Sequence, residues 1–241
     1  MIIIKVGGNA ISQLDDSFFE PIQDWLAAGE QVVIIHGGGQ LITEASQFFD
    51  LPTTKIDGIR VTPPAVLSLT EHLLTNVIQD YFAKLFEKHG ISCLKANQDL
   101  PMLLECEYLN QDRFGEVGQV TGIDQNCLNQ LPSGQVVLLN SLAKTKEGQV
   151  LNVNADAAAQ ALASLTNADH LILLTDVPGV LVDQHLLERL QPKLAAQLIA
   201  ADQITGGMLP KVHSAFAALH HGVQKITITN QLQQKGTELT L

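Results

Sequence analysis

The 241-residue sequence predicts an α/β fold with a mainly parallel central sheet. Two short apolar runs, at residues 2–6 and 31–35, each end in glycines, and a stretch with helical spacing follows each of them. The repeated order of strand, glycine turn and helix is typical of parallel strands joined by crossover helices. A third apolar run at residues 169–174 predicts that the same sheet continues in the second half of the chain.

The remaining elements of the first half follow from apolar spacing and turn residues. Helical spacing predicts helices at residues 17–28, ending at a glycine, and at about 40–49, with one or two more between residues 63 and 89. Apolar runs predict strands at 91–96 and 135–139. Residues 102–108 and 114–121 flank a polar turn and predict a β-hairpin, and residues 144–151 contain a second turn.

The second half begins with an alanine-rich helix at residues 154–166. After the strand at 169–174, helices are predicted at 193–201 and 208–221, and a final strand at 223–229. We place a lobe boundary where the alanine-rich helix ends, which divides the chain into lobes of residues 1–167 and 168–241.

Composition limits the classes of function. Apolar residues make up 46% of the chain and charged residues 16%, values typical of a well-buried globular protein. The net charge of −11 argues against a nucleic-acid or anionic-membrane surface, so a phosphate site must create its positive field locally. Three scattered cysteines without a CxxC pair indicate reduced thiols, and no apolar run is long enough to span a bilayer. We therefore expect a soluble cytoplasmic protein with no nucleic-acid or membrane partner.

Glycines follow the first two predicted strands, as Gly7-Gly8 and Gly37-Gly38-Gly39. Ligands of open α/β sheets bind at the carboxyl ends of strands, where glycines let backbone N–H groups approach phosphate oxygens. A tight strand-to-helix turn is the alternative explanation. No Gly-Lys dipeptide and no GxGxxG occurs, which disfavours a P-loop kinase and a nicotinamide-dependent dehydrogenase.

Two lysines stand beside glycine turns. Lys5 interrupts an otherwise apolar strand, and a buried lysine there is costly unless its ammonium meets an anion at the strand end. Lys211 lies in the first turn of a helix that follows Thr205-Gly206-Gly207, where a cation is unfavourable without a nearby anion. The alternatives are a lysine that reaches solvent from an edge strand and an ordinary surface lysine.

Four polar residues are candidates for binding. Arg60 lies in an otherwise apolar loop and could capture a carboxylate in a bidentate manner, although an exposed loop arginine is equally compatible. Asn154 fits a helix N-cap, Asp156 fits both a first-turn acid and a site residue, and Asn152 has no evident structural task. His36 has no partner at metal-ligand spacing, so we interpret it as a core histidine rather than a metal ligand.

Six motifs in register along nearly the whole chain resemble those of the amino acid kinase family, and within it the acetylglutamate kinases. They are Lys5-Val6-Gly7-Gly8, His36-Gly37-Gly38-Gly39, Gly58-Ile59-Arg60-Val61-Thr62, residues 152–156, Thr175-Asp176-Val177-Pro178-Gly179-Val180, and Gly206-Gly207-Met208 with Lys211. The resemblance implies a three-layer αβα sandwich of the carbamate kinase-like type. It also implies phosphorylation of N-acetyl-L-glutamate by ATP in arginine biosynthesis, with Mg²⁺ held mainly by the ATP phosphates and no protein metal site.

The resemblance also implies roles for individual residues. Lys5, Lys211 and Asp156 would be catalytic, with Asp156 orienting the two lysines. The acceptor would be bound by Gly38, Gly39, Arg60 and Asn152. The nucleotide would be bound by Gly7, Gly8, Asp176, Val177, Pro178, Gly179, Val180, Leu181, Gln203, Ile204 and Thr205.

Other members of the family remain alternatives, namely kinases of carrier-linked aminoadipate, glutamate, aspartate or UMP. A non-catalytic nucleotide-binding homologue is a further one, although such a protein would need neither Lys5 nor Lys211. The sequence begins at its first strand, without the N-terminal helix that in some relatives is linked to hexamers and arginine sensing. We therefore expect a homodimer, with the dimer interface in the N-terminal lobe.

Overall fold

The computed structural model describes residues 1–7, 11 and 14–241. The strands of its first half are β1 (Ile2–Val6), β2 (Val32–His36), β3 (Lys55–Ile56), β4 (Ile59–Arg60), β5 (Cys93–Lys95), β6 (Leu104–Tyr108), β7 (Gly118–Ile123), β8 (Val136–Asn140), β9 (Leu142–Lys144) and β10 (Val150–Asn152). Those of its second half are β11 (His170–Leu174), β12 (Leu181–Val182), β13 (His185–Leu186), β14 (Arg189–Leu190), β15 (Ile226–Thr229) and β16 (Thr237–Leu239).

The α-helices are α1 (Asp16–Ala27), α2 (Gly39–Phe48), α3 (Pro64–His72), α4 (Gln79–Lys88), α5 (Gln111–Phe114), α6 (Gln125–Leu128), α7 (Ala155–Thr166), α8 (Pro192–Ala200) and α9 (Met208–His220). A π-helical segment, Leu73–Ile78, joins α3 to α4. Two of the long helices begin close to where their sequences predict. Asn154 caps α7 by accepting hydrogen bonds from two backbone N–H groups, and α2 begins at Gly39, the last of the glycines that follow β2.

The main sheet has eight strands in the order β14-β16-β15-β11-β1-β2-β8-β5. Every neighbouring pair is parallel except β15 and β16, so the predicted mainly parallel sheet is confirmed. The prediction that residues 223–229 form the last strand is wrong, because β16 follows and pairs antiparallel with β15. β16 has only three residues, with Glu238 between two buried ones. A strand this short cannot be told from a terminal loop by its sequence pattern.

A second sheet has the order β10-β9-β6-β7. It contains the predicted hairpin, as β6 and β7, and the second predicted turn, which joins the antiparallel strands β9 and β10. Two-stranded ribbons, β3-β4 and β12-β13, complete the strands. The short ribbons are absent from the predictions because two-residue strands carry no periodic signal.

Alternate residues of the central strands enter two different hydrophobic clusters, one on each face of the main sheet. Ile3 and Val33 pack on the face covered by α7, α8 and α9, whereas Ile2, Ile4 and Val32 pack on the face covered by α1, the π-helical segment and α4. Because side chains alternate along a strand, this division shows a sheet buried between two helical layers. The three-layer αβα sandwich is therefore confirmed.

The same alternation determines where Lys5 points. Lys5 comes two residues after Ile3 in β1, so its side chain lies on the same face of the sheet, the one covered by α7 and α9. These are the helices whose first turns carry Asp156 and Lys211.

Four strands that precede residue 167, β1, β2, β5 and β8, form one half of the main sheet, and β11, β14, β15 and β16 form the other. Asn167 ends α7 in a left-handed conformation, with φ of 48°. The boundary between two lobes at this residue stays a prediction. None of the helices in the described ranges is long and apolar enough to cross a membrane.

Candidate active site

A cleft of about 1060 Å³ opens at the carboxyl ends of β1, β2 and β11. Its walls include all of the residues that the sequence singles out as catalytic or acceptor-binding, namely Lys5, Gly38, Gly39, Arg60, Asn152, Asp156 and Lys211. Gly7 and Asp176, from the predicted nucleotide set, line it as well. Gly8, also assigned to the nucleotide, lies outside the described residues.

Lys5 is 7% exposed, so a charged amine lies almost entirely within the protein. Its Nζ is 3.0 Å from Asp156 Oδ1. Oδ1 has no aligned hydrogen-bond donor among the described residues, and the contact is therefore an ion pair. A lysine in a parallel strand is thus compensated by an acid from α7, which agrees with the cost of burying an unpaired charge.

Lys211 approaches the same carboxylate from α9. Its Nζ donates a hydrogen bond to Asp156 Oδ2 at 3.2 Å. Two lysines separated by 206 positions in the sequence thus share one carboxylate inside one cleft. The two ammonium groups and the single carboxylate sum to a net positive charge, which gives this acidic protein the local positive field that a phosphate group requires.

The Asp156 carboxylate is held in its ionised form. Burial acts to raise its pKa, but the charges of Lys5 and Lys211 and their contacts outweigh burial, so the net pKa lies below its ordinary value. Asp156 is therefore an anion at neutral pH and keeps both ammonium groups close together.

The buried face of α9 combines alanines with larger apolar side chains. Val212, Ala215, Ala218 and Leu219 are buried, whereas Leu209 and Phe216 are buried only partly. Small alanines allow α9 to lie close to α7. The face that Lys211 shares with these alanines is therefore turned inward, and this explains why its amine reaches Asp156.

Arg60 is 9% exposed, so the alternative of an exposed loop arginine is wrong. Nη2 donates hydrogen bonds to the carbonyl oxygen of Gly39 at 2.9 Å and to Thr43 Oγ1 at 2.8 Å. Nη1 is buried and has no partner among the described residues. Burial lowers the pKa of the guanidinium, which nevertheless keeps its charge. Arg60 lines the cleft as a buried cation with one guanidinium nitrogen unpaired in the described part of the chain, which suits it to an anionic ligand.

Asn152 ends β10, and its Nδ2 donates a hydrogen bond to Thr62 Oγ1 at 3.1 Å. The interpretation that Asn152 lacks a structural contact is therefore wrong. Thr62 comes two residues after Arg60, so this bond joins Asn152 to the chain segment that carries Arg60.

Close packing and backbone conformation account for two of the glycines after β2. A Cβ at Gly37 would approach the Cβ of Ala155, the first residue of α7, to 3.1 Å. Gly39 has φ of 36°, in the region that glycine adopts readily. α2 begins at Gly39, so its first backbone N–H groups have no partner within the helix and point toward the cleft end.

The predicted nucleotide residues lie mostly away from the described lining of this cleft. Only Gly7 and Asp176 belong to it. Gly179 has φ of 153°, and the N–H of Val180 donates to Thr237 Oγ1 at 2.8 Å, while the side chains of Val180 and Ile204 are buried. The remaining predicted nucleotide residues lie in the same two chain segments, 176–181 and 203–205: Val177, Pro178, Leu181, Gln203 and Thr205. Their assignment to the nucleotide stays a prediction.

Sequence reasoning missed several polar residues of the cleft. Thr43 contacts Arg60, Ser141 follows β8, and Asn230 follows β15 with its Oδ1 buried and unpartnered in the described chain. The position directly after a predicted strand at 223–229 is a signal that could have identified Asn230. Thr43 offers no such signal, because its partner is distant in sequence.

His36 is buried, and its ring lies 5.5 Å from that of Phe82. Burial lowers its pKa from 6.5 to about 4, so the imidazole is neutral. Neither ring nitrogen has a hydrogen-bond partner in the described chain. Within the same ranges, no group of three or more His, Cys, Asp or Glu side chains could hold a metal ion.

A sequence model of the amino acid kinase family matches residues 1–230. The chain belongs to the amino acid kinase family. The resemblance carried by the six motifs is therefore confirmed. Similar curated proteins include an acetylglutamate kinase of Lactiplantibacillus plantarum, 41% identical over 239 residues that span 99% of this chain and 96% of the relative. Another is an acetylglutamate kinase of Leuconostoc citreum, 38% identical and spanning 100% of this chain and 98% of the relative.

Solved structures agree with this assignment. The amino acid kinase described here superposes on a crystal structure from Streptococcus mutans with a TM-score of 0.91 and 37% identity, covering 99% of this chain and 98% of that one. It also superposes on carbamate kinase from Giardia lamblia with a TM-score of 0.61 and 15% identity, covering 99% and 97% of the two chains. The second likeness shows the shared carbamate kinase-like fold.

Proposed function

We propose that this amino acid kinase transfers the γ-phosphoryl group of ATP to the side-chain carboxylate of N-acetyl-L-glutamate. The product is N-acetyl-L-glutamyl 5-phosphate, an intermediate of arginine biosynthesis. The observation that carries the proposal is the pair of ammonium groups, from Lys5 and Lys211, gathered on Asp156 at the end of the central sheet. The names of full-length relatives support the choice of acceptor.

The geometry suits attack by one anion on another. A side-chain carboxylate has a pKa of about 4.3 and is already ionised at neutral pH, so it needs no general base. The barrier comes from bringing that anion to a phosphoryl group with negative oxygens. Lys5 and Lys211 would neutralise the oxygens of the group in transit, and Asp156 would hold both amines at the required separation.

The acceptor would lie on the side of the cleft formed by β4, β10 and the start of α2. The unused Nη1 of Arg60 would bind its backbone carboxylate, and Asn152 would bind the acetylated amino group. The N–H groups that begin α2, at Gly38 and Gly39, would stabilise negative charge near the reacting carboxylate. This arrangement places the acceptor by several contacts at once, as in-line transfer requires.

We propose that the nucleotide lies against the second-half end of the sheet, on residues 176–181 and 203–205 together with Gly7 and Gly8. Mg²⁺ would be carried mainly by the ATP phosphates, since both oxygens of Asp156 already contact lysines. When bound, it supplies charge neutralisation to the phosphate oxygens.

We also propose a cytoplasmic homodimer. Phe48 and Phe49, at the end of α2, are 80% and 59% exposed, and Tyr81 on α4 is 47% exposed. Large exposed apolar side chains on the helices of the first half are typical of a protein-protein interface. Light scattering coupled to size exclusion tests this: a dimer is expected for the wild type, and a monomer for Phe48→Ser combined with Phe49→Ser.

The proposed reaction is tested by offering MgATP with N-acetyl-L-glutamate, glutamate, aspartate, an aminoadipate derivative and UMP. Hydroxylamine traps an acyl phosphate as a hydroxamate, and ADP release reports turnover of UMP. We expect hydroxamate with N-acetyl-L-glutamate at the highest kcat/KM. A higher kcat/KM with any other acceptor would reassign the substrate, and no turnover with any of them would contradict the kinase function.

A further inference from the structure

Thr62 lies between Arg60 and Asn152, the two side chains proposed to hold the acceptor, although it does not itself line the cleft. Its side chain is fully buried, at 0% exposure. Its Oγ1 donates a hydrogen bond to the backbone carbonyl of Arg60 at 3.0 Å and accepts one from Asn152 Nδ2 at 3.1 Å. One hydroxyl thus contacts both residues that are proposed to hold the acceptor.

The direction of these hydrogen bonds follows from the groups involved. The carbonyl oxygen of Arg60 can only accept, so the single proton of the Thr62 hydroxyl is committed to it. The hydroxyl can therefore only accept from Asn152, which must present its NH₂ group to Thr62 rather than its oxygen. The amide of Asn152 is thereby fixed in one of its two orientations, and Oδ1 is left for the acceptor.

The backbone around Thr62 is held independently of this hydroxyl. The N–H of Thr62 donates to the carbonyl of Phe114 at 2.8 Å, and its carbonyl accepts from the N–H of Glu116 at 2.7 Å. The N–H of Asn152 donates to the carbonyl of Glu116 at 3.0 Å. Residues 62 and 152 therefore stay adjacent through main-chain bonds, and the hydroxyl is needed only to orient side chains.

We propose that Thr62 is a positioning residue, which sets the amide orientation of Asn152 and the backbone of Arg60 and so determines affinity for the acceptor. This inference rests on the proposed function. It goes beyond it by assigning a task to a buried residue that contacts no substrate. The residues that Thr62 contacts are not assigned to the nucleotide, so its replacement should change KM for the acceptor and not KM for ATP.

The test is steady-state kinetics of Thr62→Val and Thr62→Ser with MgATP and N-acetyl-L-glutamate. Valine keeps the shape of threonine but removes both hydrogen bonds, whereas serine keeps the hydroxyl. We expect Thr62→Val to raise KM for the acceptor by at least about 5-fold, the size of effect that one lost neutral hydrogen bond produces. KM for ATP should stay within about 2-fold, and Thr62→Ser should restore most of the acceptor affinity.

Thr70→Val is the matched control. Thr70 is also fully buried on α3, but its hydroxyl has no hydrogen-bond partner in the described chain. The Thr70→Val variant should therefore have the same KM for the acceptor as the wild type. In addition, Thr62→Val should cost less in an Asn152→Ala background than in the wild type, because part of its action passes through Asn152.

The outcomes separate the inference from the proposed function. An active wild type whose acceptor KM is unchanged in Thr62→Val overturns the positioning role alone. Equal increases in KM for acceptor and ATP, or failure of serine to restore affinity, also overturn it, because they indicate general disturbance of the fold. A wild type that phosphorylates none of the acceptors overturns the proposed function and this inference together.

Discussion

Lys211 Nζ lies 3.2 Å from Asp156 Oδ2, and this contact joins the first turns of α9 and α7 at the point where Lys5 emerges from β1. The three charged groups come from three separate elements. Their meeting point is set by the alternation of side chains in β1 and by the close approach of two alanine-rich helix faces.

Replacement of either lysine by alanine should remove stabilisation of the phosphoryl group in transit. We expect Lys5→Ala and Lys211→Ala each to lower kcat by at least about 100-fold, comparable to the loss of one oxyanion donor. Lys225→Ala is the control, since Lys225 pairs with Glu238 on the surface and should leave kcat unchanged. A change in KM alone, with kcat near that of the wild type, would speak against the assigned role.

Asp156→Asn should retain the shape of the side chain but remove the charge that holds two ammonium groups together. We expect kcat to fall by at least about 10-fold, because the repelling lysines move away from the productive geometry. Asp124→Asn is a matched control: Asp124 is paired with Lys144 at 3.0 Å at similar exposure but outside the cleft. Wild-type kcat in Asp156→Asn would show that the carboxylate does not organise the lysines.

Arg60→Lys keeps a positive charge but loses the planar fork of the guanidinium. Two of the contacts of Arg60 hold Gly39 and Thr43, and the unused Nη1 is assigned to the acceptor. We expect KM for N-acetyl-L-glutamate to rise by about 10-fold or more, with a much smaller effect on KM for ATP. Arg113→Lys, at an exposed pair with Asp57, should be neutral. Unchanged acceptor affinity in Arg60→Lys would remove Arg60 from the acceptor site.

The buried histidines should make stability depend on pH. Because burial lowers the pKa of His36 from 6.5 to about 4, the unfolded chain takes up a proton on acidification before the folded protein does. The contribution of His36 is fully present above its unfolded pKa and declines as pH falls toward 4, by about 2 kcal/mol at about pH 5. His170 behaves similarly, with a pKa of about 4.

Urea unfolding of the wild type and His36→Gln measures this effect. The difference in unfolding free energy between about pH 7.5 and about pH 5 should be smaller in the variant, because the contribution of His36 is removed and that of His170 remains. His185→Gln, at an exposed ribbon, is the control and should retain the wild-type difference. An unchanged difference in His36→Gln would mean that His36 is not a neutral buried group.

The sequence was sufficient to predict the central strands and to single out residues that the structure brings together in the cleft, because these residues break local rules. Lys5 is a charge inside an apolar strand, and Gly37 to Gly39 are three glycines at a strand end, so each can be recognised without tertiary information. The predicted helix at residues 154–166 and its cap at Asn154 are likewise local features, and the structure contains both.

The parts that could not be predicted depend on partners distant in sequence. Thr62 looks like any threonine of a loop, and only the folded structure shows its contacts with Arg60 and Asn152. β16 is stabilised by pairing with β15 and β14 rather than by its own three residues. The π-helical segment at Leu73–Ile78 has no sequence signature that separates it from an α-helix.

A crystal structure with MgADP, aluminium fluoride and N-acetyl-L-glutamate would test the central claim most directly, since the fluoride stands in for the phosphoryl group in transit. The amines of Lys5 and Lys211 should both lie within hydrogen-bond distance of that group, about 3 Å, with the acceptor carboxylate in line with the leaving oxygen of ADP. If either amine contacts a different part of the complex, the account of catalysis by two converging lysines is wrong.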